Sequence, residues 1–264
     1  MSEKTVIVET DSRGVATVTL NRPAVHNAFD DAMIARLDEV FTGLVADGAR
    51  LMVLRAAGRS FCAGADAGWM KASAQYSEAE NIADACRLSA MLARLNGLPM
   101  PTLALVQGAA FGGGLGLVAC CDIALAAGRA RFCLSEVRLG LTPATISPYV
   151  VAAMGARAAR RYFLSAERFT ADEARRLGPV HEVVGDEAAL ADAGAAMVSE
   201  LLAGAPGAQA AAKELIFTVA GHPLDEALRE DTARRIATRR ASAEGREGLG
   251  AFLEKRKPKW TGDV

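Results

Sequence analysis

Apolar residues alternate with polar ones, or run β-branched, over TVIVET (5–10) and VATVTL (15–20), with Ser12-Arg13-Gly14 between them. This pattern predicts a hairpin. Asn21-Arg22-Pro23 ends the second strand. From Ala28 to Val45 the period changes: Met33, Leu37, Val40, Phe41 and Leu44 recur at three and four, as on one face of a helix. LMVLRA (51–56) reads as a buried strand and GRSFCAGADAG (58–68) as a loop of small residues. Residues 77–97 read as an amphipathic helix ending near Asn96-Gly97, and TLALVQ (102–107) as another buried strand. FGGGLGLVACCD (111–122) then opens a helix through Cys120, and DIALA (122–126) is again a strand. Beyond about residue 145 the strand signal fades, apart from PVHEVVG (179–185). The remainder is helical, with i,i+4 charge pairs such as Glu230/Arg234 and Asp231/Arg235. Uncharged strands alternating with helices predict an α/β fold around a mostly parallel sheet covered on both faces. The expected division is an α/β core over residues 1–195 and a helical region over 196–264.

Composition narrows the chemistry. Lys and Arg total 30 against 31 Asp and Glu, a net charge of -1. So even a balance offers no field for nucleic acid or an anionic membrane, and no aromatic-basic patch interleaves it. Of the 264 residues 51% are hydrophobic, enough for a sizeable core. Five cysteines without a CxxC pair argue against a disulfide framework or a structural zinc site. Three scattered histidines (His26, His181, His222) offer neither a metal cluster nor a catalytic triad. The expectation is therefore a cytoplasmic protein with reduced thiols, no metal and no redox cofactor. MSEKTVIVET carries no signal-peptide pattern. Met100 to Cys121 is uncharged and long enough to span a membrane, but Pro101, Gln107 and the glycines favour a buried strand followed by a buried helix.

The glycines pose the functional question. Gly112, Gly113, Gly114 and Gly116 follow a buried strand and open a helix, whose first amides lack internal partners. Without β-carbons nearby, a ligand atom can approach those amides, and the helix dipole favours negative charge there. Tight helix packing would need the same glycines, so the motif alone leaves both readings open. A dinucleotide fingerprint fails because Leu117 stands where its last glycine belongs, and no GK[ST] completes a phosphate-binding loop. SFCAGAD (60–66) follows the preceding buried strand, again with small residues beside glycine. Two such turns on neighbouring parallel strands could aim two amides at one carbonyl oxygen, an oxyanion hole. Glu136, in the apolar setting FCLSEVRLGL, is the matching acid/base candidate.

These stretches together resemble the crotonase, or enoyl-CoA hydratase/isomerase, superfamily. The resemblance runs through LNRPAVHNAF (20–29), GRSFCAGAD (58–66), VQGAAFGGGLGL (106–117), CDIALA (121–126), SEVRLGLTPATIS (135–147), AERFTADEARRLGPVHEVV (166–184) and FLEKRKPKW (252–260). It implies a ββα spiral core with a C-terminal helical trimerisation region, assembled as a homotrimer or homohexamer. It implies an acyl-CoA substrate, with coenzyme A arriving as part of it and no further cofactor. By position, the oxyanion hole falls to the amides of Ala65 and Gly113. Coenzyme A contacts fall to Ala24, Val25, the loop Ala63, Ala65, Asp66, Ala67 and Gly68, and to Phe252 and Lys255 of the tail. Hydratases of this family commonly hold one water between two glutamates. Here the second matches Glu136, while the first falls on Gly116, which has no side chain.

Three readings of that departure follow. Glu136 alone can move both protons; Glu78, Glu80 or Asp84 can reach in; or no water is added and Glu136 isomerises a double bond. A finer likeness, in ADAGWMK (65–71), AAFGGGLGLVACCDIALA (109–126) and SEVRLGLTPATISPYVV (135–151), is to bacterial methylglutaconyl-CoA and carboxygeranoyl-CoA hydratases, where glycine at the first position is common. It implies a branched or carboxylated enoyl-CoA such as 3-methylglutaconyl-CoA, in leucine or acyclic-terpene breakdown. Arg138 and Lys71 are then candidates to pair with a distant carboxylate. A binder of acyl-CoA or RNA without catalysis is the alternative from another class.

Overall fold

A computed structural model describes residues 4–262. The chain gathers into two compact units, one of residues up to Leu98 with Thr102–Ala195, the other of Pro99–Pro101 with residues from Ala196 onward. The first unit is α/β. β1 (Val6–Thr10) and β2 (Val15–Leu20) form the antiparallel hairpin, with Val6 opposite Leu20. β2 then pairs in parallel with β3 (Leu51–Ala56), in register from Val15 opposite Leu51 to Leu20 opposite Ala56. β4 (Thr102–Val106), β6 (Ile123–Ala127) and β9 (Glu182–Val184) extend the sheet in parallel, giving the order β1-β2-β3-β4-β6-β9. The interior strands carry Val18, Leu54, Leu103, Ala104 and Leu125 fully buried, which explains their largely apolar sequences; Arg55, near the end of β3, is exposed.

A second, smaller sheet was not legible in the pattern. β5 (Ala109–Phe111) pairs in parallel with β7 (Arg131–Cys133), which pairs antiparallel with β8 (Phe169–Thr170). The chain therefore does not pass from β4 straight into a helix, as expected. Gly108, at φ 61, swings it from the large sheet to the small one first. β4, β5 and the following helix α4 (Gly113–Cys120) make one ββα step. β6 and β7 repeat the step, so the repeat lies in geometry and not in sequence similarity.

Helix starts follow local chemistry. The helix expected from Ala28 begins at Asp31: in α1 (Asp31–Ala46) the Asp30 side chain accepts from the Met33 amide, and Met33, Leu37, Val40, Phe41 and Leu44 are buried. Residues 67 and 68, read as loop, open α2 (Ala67–Ser73), because Asp66 caps the Gly68 and Trp69 amides. α3 (Glu78–Asn96) starts with a capping box between Ser77 and Glu80. α5 (Ser147–Ser165) is kinked at Gly155, and α6 (Ala171–Leu177) follows β8. In the second unit α8 (Pro206–Val219), α9 (Glu226–Ala241) and α10 (Ala243–Leu253) form a helical group joined by α7 (Glu187–Ala203), which begins in the first unit. The expected pair Asp231–Arg235 forms at 2.6 Å. Among the described residues no single helix is long and apolar enough to cross a membrane, and Met100–Cys121 is divided among β4, β5 and α4.

Candidate active site

The site is built from backbone brought close by two clips. The first is Asn27, fully buried and in the left-handed region at φ 56, which asparagine tolerates. Its Oδ1 accepts from the Arg22 amide at 2.7 Å, and its Nδ2 donates to the Ala57 and Ser60 carbonyls at 2.9 and 2.8 Å. The loop 58–66 is thereby tied to residues 22–29. Replacing Asn27 with alanine leaves one buried donor and two buried acceptors without it and should cost about 3 kcal/mol of stability. A chemical denaturation midpoint left at the wild-type value would refute this.

The second clip is a ladder. The Phe29 amide donates to the Gly64 carbonyl at 2.8 Å, and the Asp66 amide donates to the Phe29 carbonyl at 2.7 Å. In a parallel pairing of this kind the residue between, Ala65, turns its own N–H to the opposite side. On that opposite side runs β5, because the Cys62 amide donates to Ala109 O and the Phe111 amide to Cys62 O, both at 2.9 Å. β5 leads directly into α4. Asp66 itself is structural. Burial works against its charge, but the Gly68 and Trp69 amides and the Arg22 guanidinium, 3.1 Å away, hold its carboxyl below the usual range.

Each glycine at the start of α4 meets a different neighbour. Gly112, at φ 49, is the N-cap and donates to Cys133 O at 2.9 Å, and a β-carbon on it would lie 3.0 Å from Glu136 Oε1. A β-carbon on Gly113 would come within 2.8 Å of Phe29 Cδ2, and one on Gly114 would strike Cys62 O. One on Gly116 would run into Ile146 Cγ2. α4 packs tightly because these are glycines, and the Gly113 amide, first in the helix, has no acceptor within it.

Ala65, Gly113 and Glu136 line one cavity of about 340 Å³ in the first unit. Glu136 opens a short 3-10 turn (Glu136–Leu139) just after β7, so the small sheet delivers it. Phe29, Trp69, Leu88, Leu141 and Ile146 make the wall largely apolar. Glu136 Oε2 is buried without a partner among the described residues. Burial raises the carboxyl above its ordinary range, and the bond from its own amide offsets this only in part. A carboxyl with a higher pKa folded than unfolded gives stability in acid that is lost as pH climbs through the unfolded value to the folded one. Glu136→Gln should therefore raise Tm at pH 7 and leave it nearly unchanged near pH 4, about the ordinary glutamate pKa. Melts showing the reverse order would contradict a buried, uncompensated carboxylate. A larger cavity, about 590 Å³ between α5 and α6, is lined by arginines, of which Arg161 and Arg176 are paired with Glu167 and Glu173.

Of the three carboxylates considered as stand-ins, Asp84 alone lines the cavity. It is buried, with Oδ1 held by Arg87 Nη2 at 2.6 Å. Glu80 closes the capping box with Ser77, and Glu78, the first residue of α3, is exposed. α3 covers Gly116 through Leu92, eight residues beyond Asp84. At 1.5 Å per residue that is about 12 Å along the helix, too far for Asp84 to occupy the place of a side chain at 116. Arg138 and Lys71 are not among the lining residues, and no Lys or Arg is found among the described residues of the wall. Ala63 is on the wall; Ala67 and Gly68 are exposed in the first turn of α2. Ala24 and Val25 sit exposed in a 3-10 turn, Pro23–Val25. Phe252, 80% exposed, is the penultimate residue of α10 in the second unit, and Lys255, just beyond the helix, is in the left-handed region at φ 54. Sequence reasoning missed Trp69, Asn81 and Ile146 on the wall. Trp69 had one signal, its place three residues after the capping Asp66; Ile146 had none.

The chain matches the Enoyl-CoA hydratase/isomerase family over residues 10–263. It is similar in structure to an enoyl-CoA hydratase from Shewanella pealeana, with a TM-score of 0.94 and 44% identity, covering 97% of this chain and 96% of that one. In sequence it is 33% identical over 265 residues to the 2,3-dehydroadipyl-CoA hydratase of Escherichia coli, covering 99% of this chain and 100% of that protein. It is 34% identical over 254 residues to the 1,2-epoxyphenylacetyl-CoA isomerase of the same organism, covering 95% and 96%. With the two sheets, the clipped loop and the glycine-led helix built as described, the chain belongs to the enoyl-CoA hydratase/isomerase family and carries its crotonase fold.

Proposed function

We propose that the protein is an enoyl-CoA hydratase that uses one carboxylate. The observation that supports this best is Glu136, with an unpartnered buried oxygen, on the same small cavity as Ala65 and Gly113. The Ala65 and Gly113 amides would receive the thioester oxygen, and the α4 dipole would favour charge on it. As a water oxygen bonds to the β-carbon, Glu136 takes its proton and the double-bond electrons move to the thioester oxygen as an enolate. Glu136 then returns the proton to the α-carbon, so the sum is addition of one water. Coenzyme A would rest against Ala24, Val25 and the 63–68 loop, with Phe252 and Lys255 contributing from the tail. No metal and no separate cofactor enters the scheme. A homotrimer or homohexamer built through the second unit accords with the exposed Ile216, Phe217, Leu224 and Leu253 there.

The wall favours a branched, apolar acyl group. A carboxylated one, 3-methylglutaconyl-CoA included, would face Asp84 with no lining cation to pair with. Double-bond isomerisation is the second reading, favoured by one observation: Ile146 fills the place of the other carboxylate, and one base suffices to move a proton between carbons. Incubating the protein with crotonyl-CoA, 3-methylglutaconyl-CoA and a 3-enoyl-CoA in oxygen-18 water separates the readings by product mass. Hydration adds one labelled water. A product of unchanged mass would overturn the hydratase reading in favour of the isomerase, and binding without turnover would make the protein an acyl-CoA binder.

A further inference from the structure

The hydration scheme leaves one charged side chain on the cavity wall without a task, Asp84. It is 6% exposed, and its one partner among the described residues is Arg87, whose Nη2 lies 2.6 Å from Oδ1. Oδ2 has no partner there, yet it is not one of the orphaned polar atoms sealed inside the protein, so it meets open space. That space is the cavity. Asn81, Asp84, Ala85 and Leu88 recur along one face of α3 and all four line it, and the little surface that Asp84 keeps belongs to that face.

The polar groups on this side of the cavity call for a donor. Asn81 Nδ2 donates to the Tyr76 and Ser77 carbonyls at 3.2 and 3.3 Å, and Ser73 Oγ donates to Met70 O at 3.1 Å. Asn81 Oδ1 and Asp84 Oδ2 remain, and both can only accept. Water can meet them in the free protein. An apolar group that displaced this water would leave a carboxylate oxygen unmet, whereas a hydroxyl would replace the bond. Ala65 and Gly113 line this cavity while Ala24 and Val25 do not, so the part of the substrate that fills it is the acyl group. Arg87 balances the charge of Asp84, which favours a neutral donor over an ammonium, and no lining cation would offset a second carboxylate. We infer that the acyl group carries a hydroxyl beyond its apolar body and that Asp84 Oδ2 accepts from it; this deepens the hydratase reading and rests on it.

A series of straight-chain 2-enoyl-CoAs from crotonyl to octenoyl, each with and without a hydroxyl on its last carbon, tests this. At the chain length that brings the hydroxyl to α3, the hydroxylated form should show kcat/KM about tenfold or more above its plain partner. Asp84→Leu should erase that preference, and Asp84→Asn, which keeps an acceptor, should retain part of it. The wild-type comparison needs no variant, so a poorly folded Asp84→Leu leaves the test standing. Equal kcat/KM for the two forms at every length, with hydration intact, would overturn this inference alone. A preference undiminished in a folded Asp84→Leu, or a higher kcat/KM for the amino-ended or carboxyl-ended chain, would overturn it too. If the wild-type protein hydrates none of them, the hydratase reading fails, and calorimetric binding of the saturated acyl-CoAs still decides the role of Asp84: tighter binding of the hydroxylated form supports it, and equal affinities overturn it.

Discussion

Glu136→Gln should lower kcat for hydration by about 10³-fold while leaving the affinity for a saturated acyl-CoA nearly unchanged. The substitution keeps the shape of the side chain that lies against Gly112, the N-cap of the helix whose first amide would receive the thioester oxygen. It removes the proton carrier, and the other carboxylate on the wall, Asp84, is tied to Arg87 at 2.6 Å. Binding persists because the backbone amides and the apolar wall do not change. Steady-state kinetics with calorimetric binding of butyryl-CoA reads both numbers. A variant with a tenth or more of wild-type turnover would mean that another group carries the proton.

Gly116→Glu, which rebuilds the pair of glutamates common in the family, should fail. The new side chain would enter the space of Ile146 Cγ2, with Leu92 on its other flank. Overpacking and a carboxylate placed among apolar groups together should cost about 3 kcal/mol or more, with activity lost along with stability. Pairing the substitution with Ile146→Ala opens the space and should recover most of the stability. Thermal melts of the single and double variants decide it. A single variant as stable as wild type would show that Ile146 yields easily and that glycine at 116 is not held there by packing.

How much of this was legible in the sequence depended on the range of the interactions involved. The hairpin, β3 and the buried face of α1 follow from patterns local to each stretch, and their observed bounds differ from expectation by a few residues at helix starts, where single capping side chains such as Asp30 decide. The glycine run left tight packing and a backbone site equally open, and the small-residue loop on the preceding strand was what tipped the reading toward paired amides. The three-residue strands β5 and β7 were hidden. Each is too short for periodicity to register, and their pairing joins Ala109 to Arg131 across the large-sheet strand β6. Ile146 against Gly116 was hidden for the same reason, as a fit of volumes thirty residues apart that neither residue announces.

The central claim is that two backbone amides and one carboxylate converge on a thioester. A crystal structure of the protein with butyryl-CoA tests it most directly. The account predicts the thioester oxygen about 3 Å from both the Ala65 and Gly113 nitrogens, with the α-carbon beside the Glu136 carboxylate. A thioester oxygen bound elsewhere, or an α-carbon beyond reach of Glu136, would contradict it.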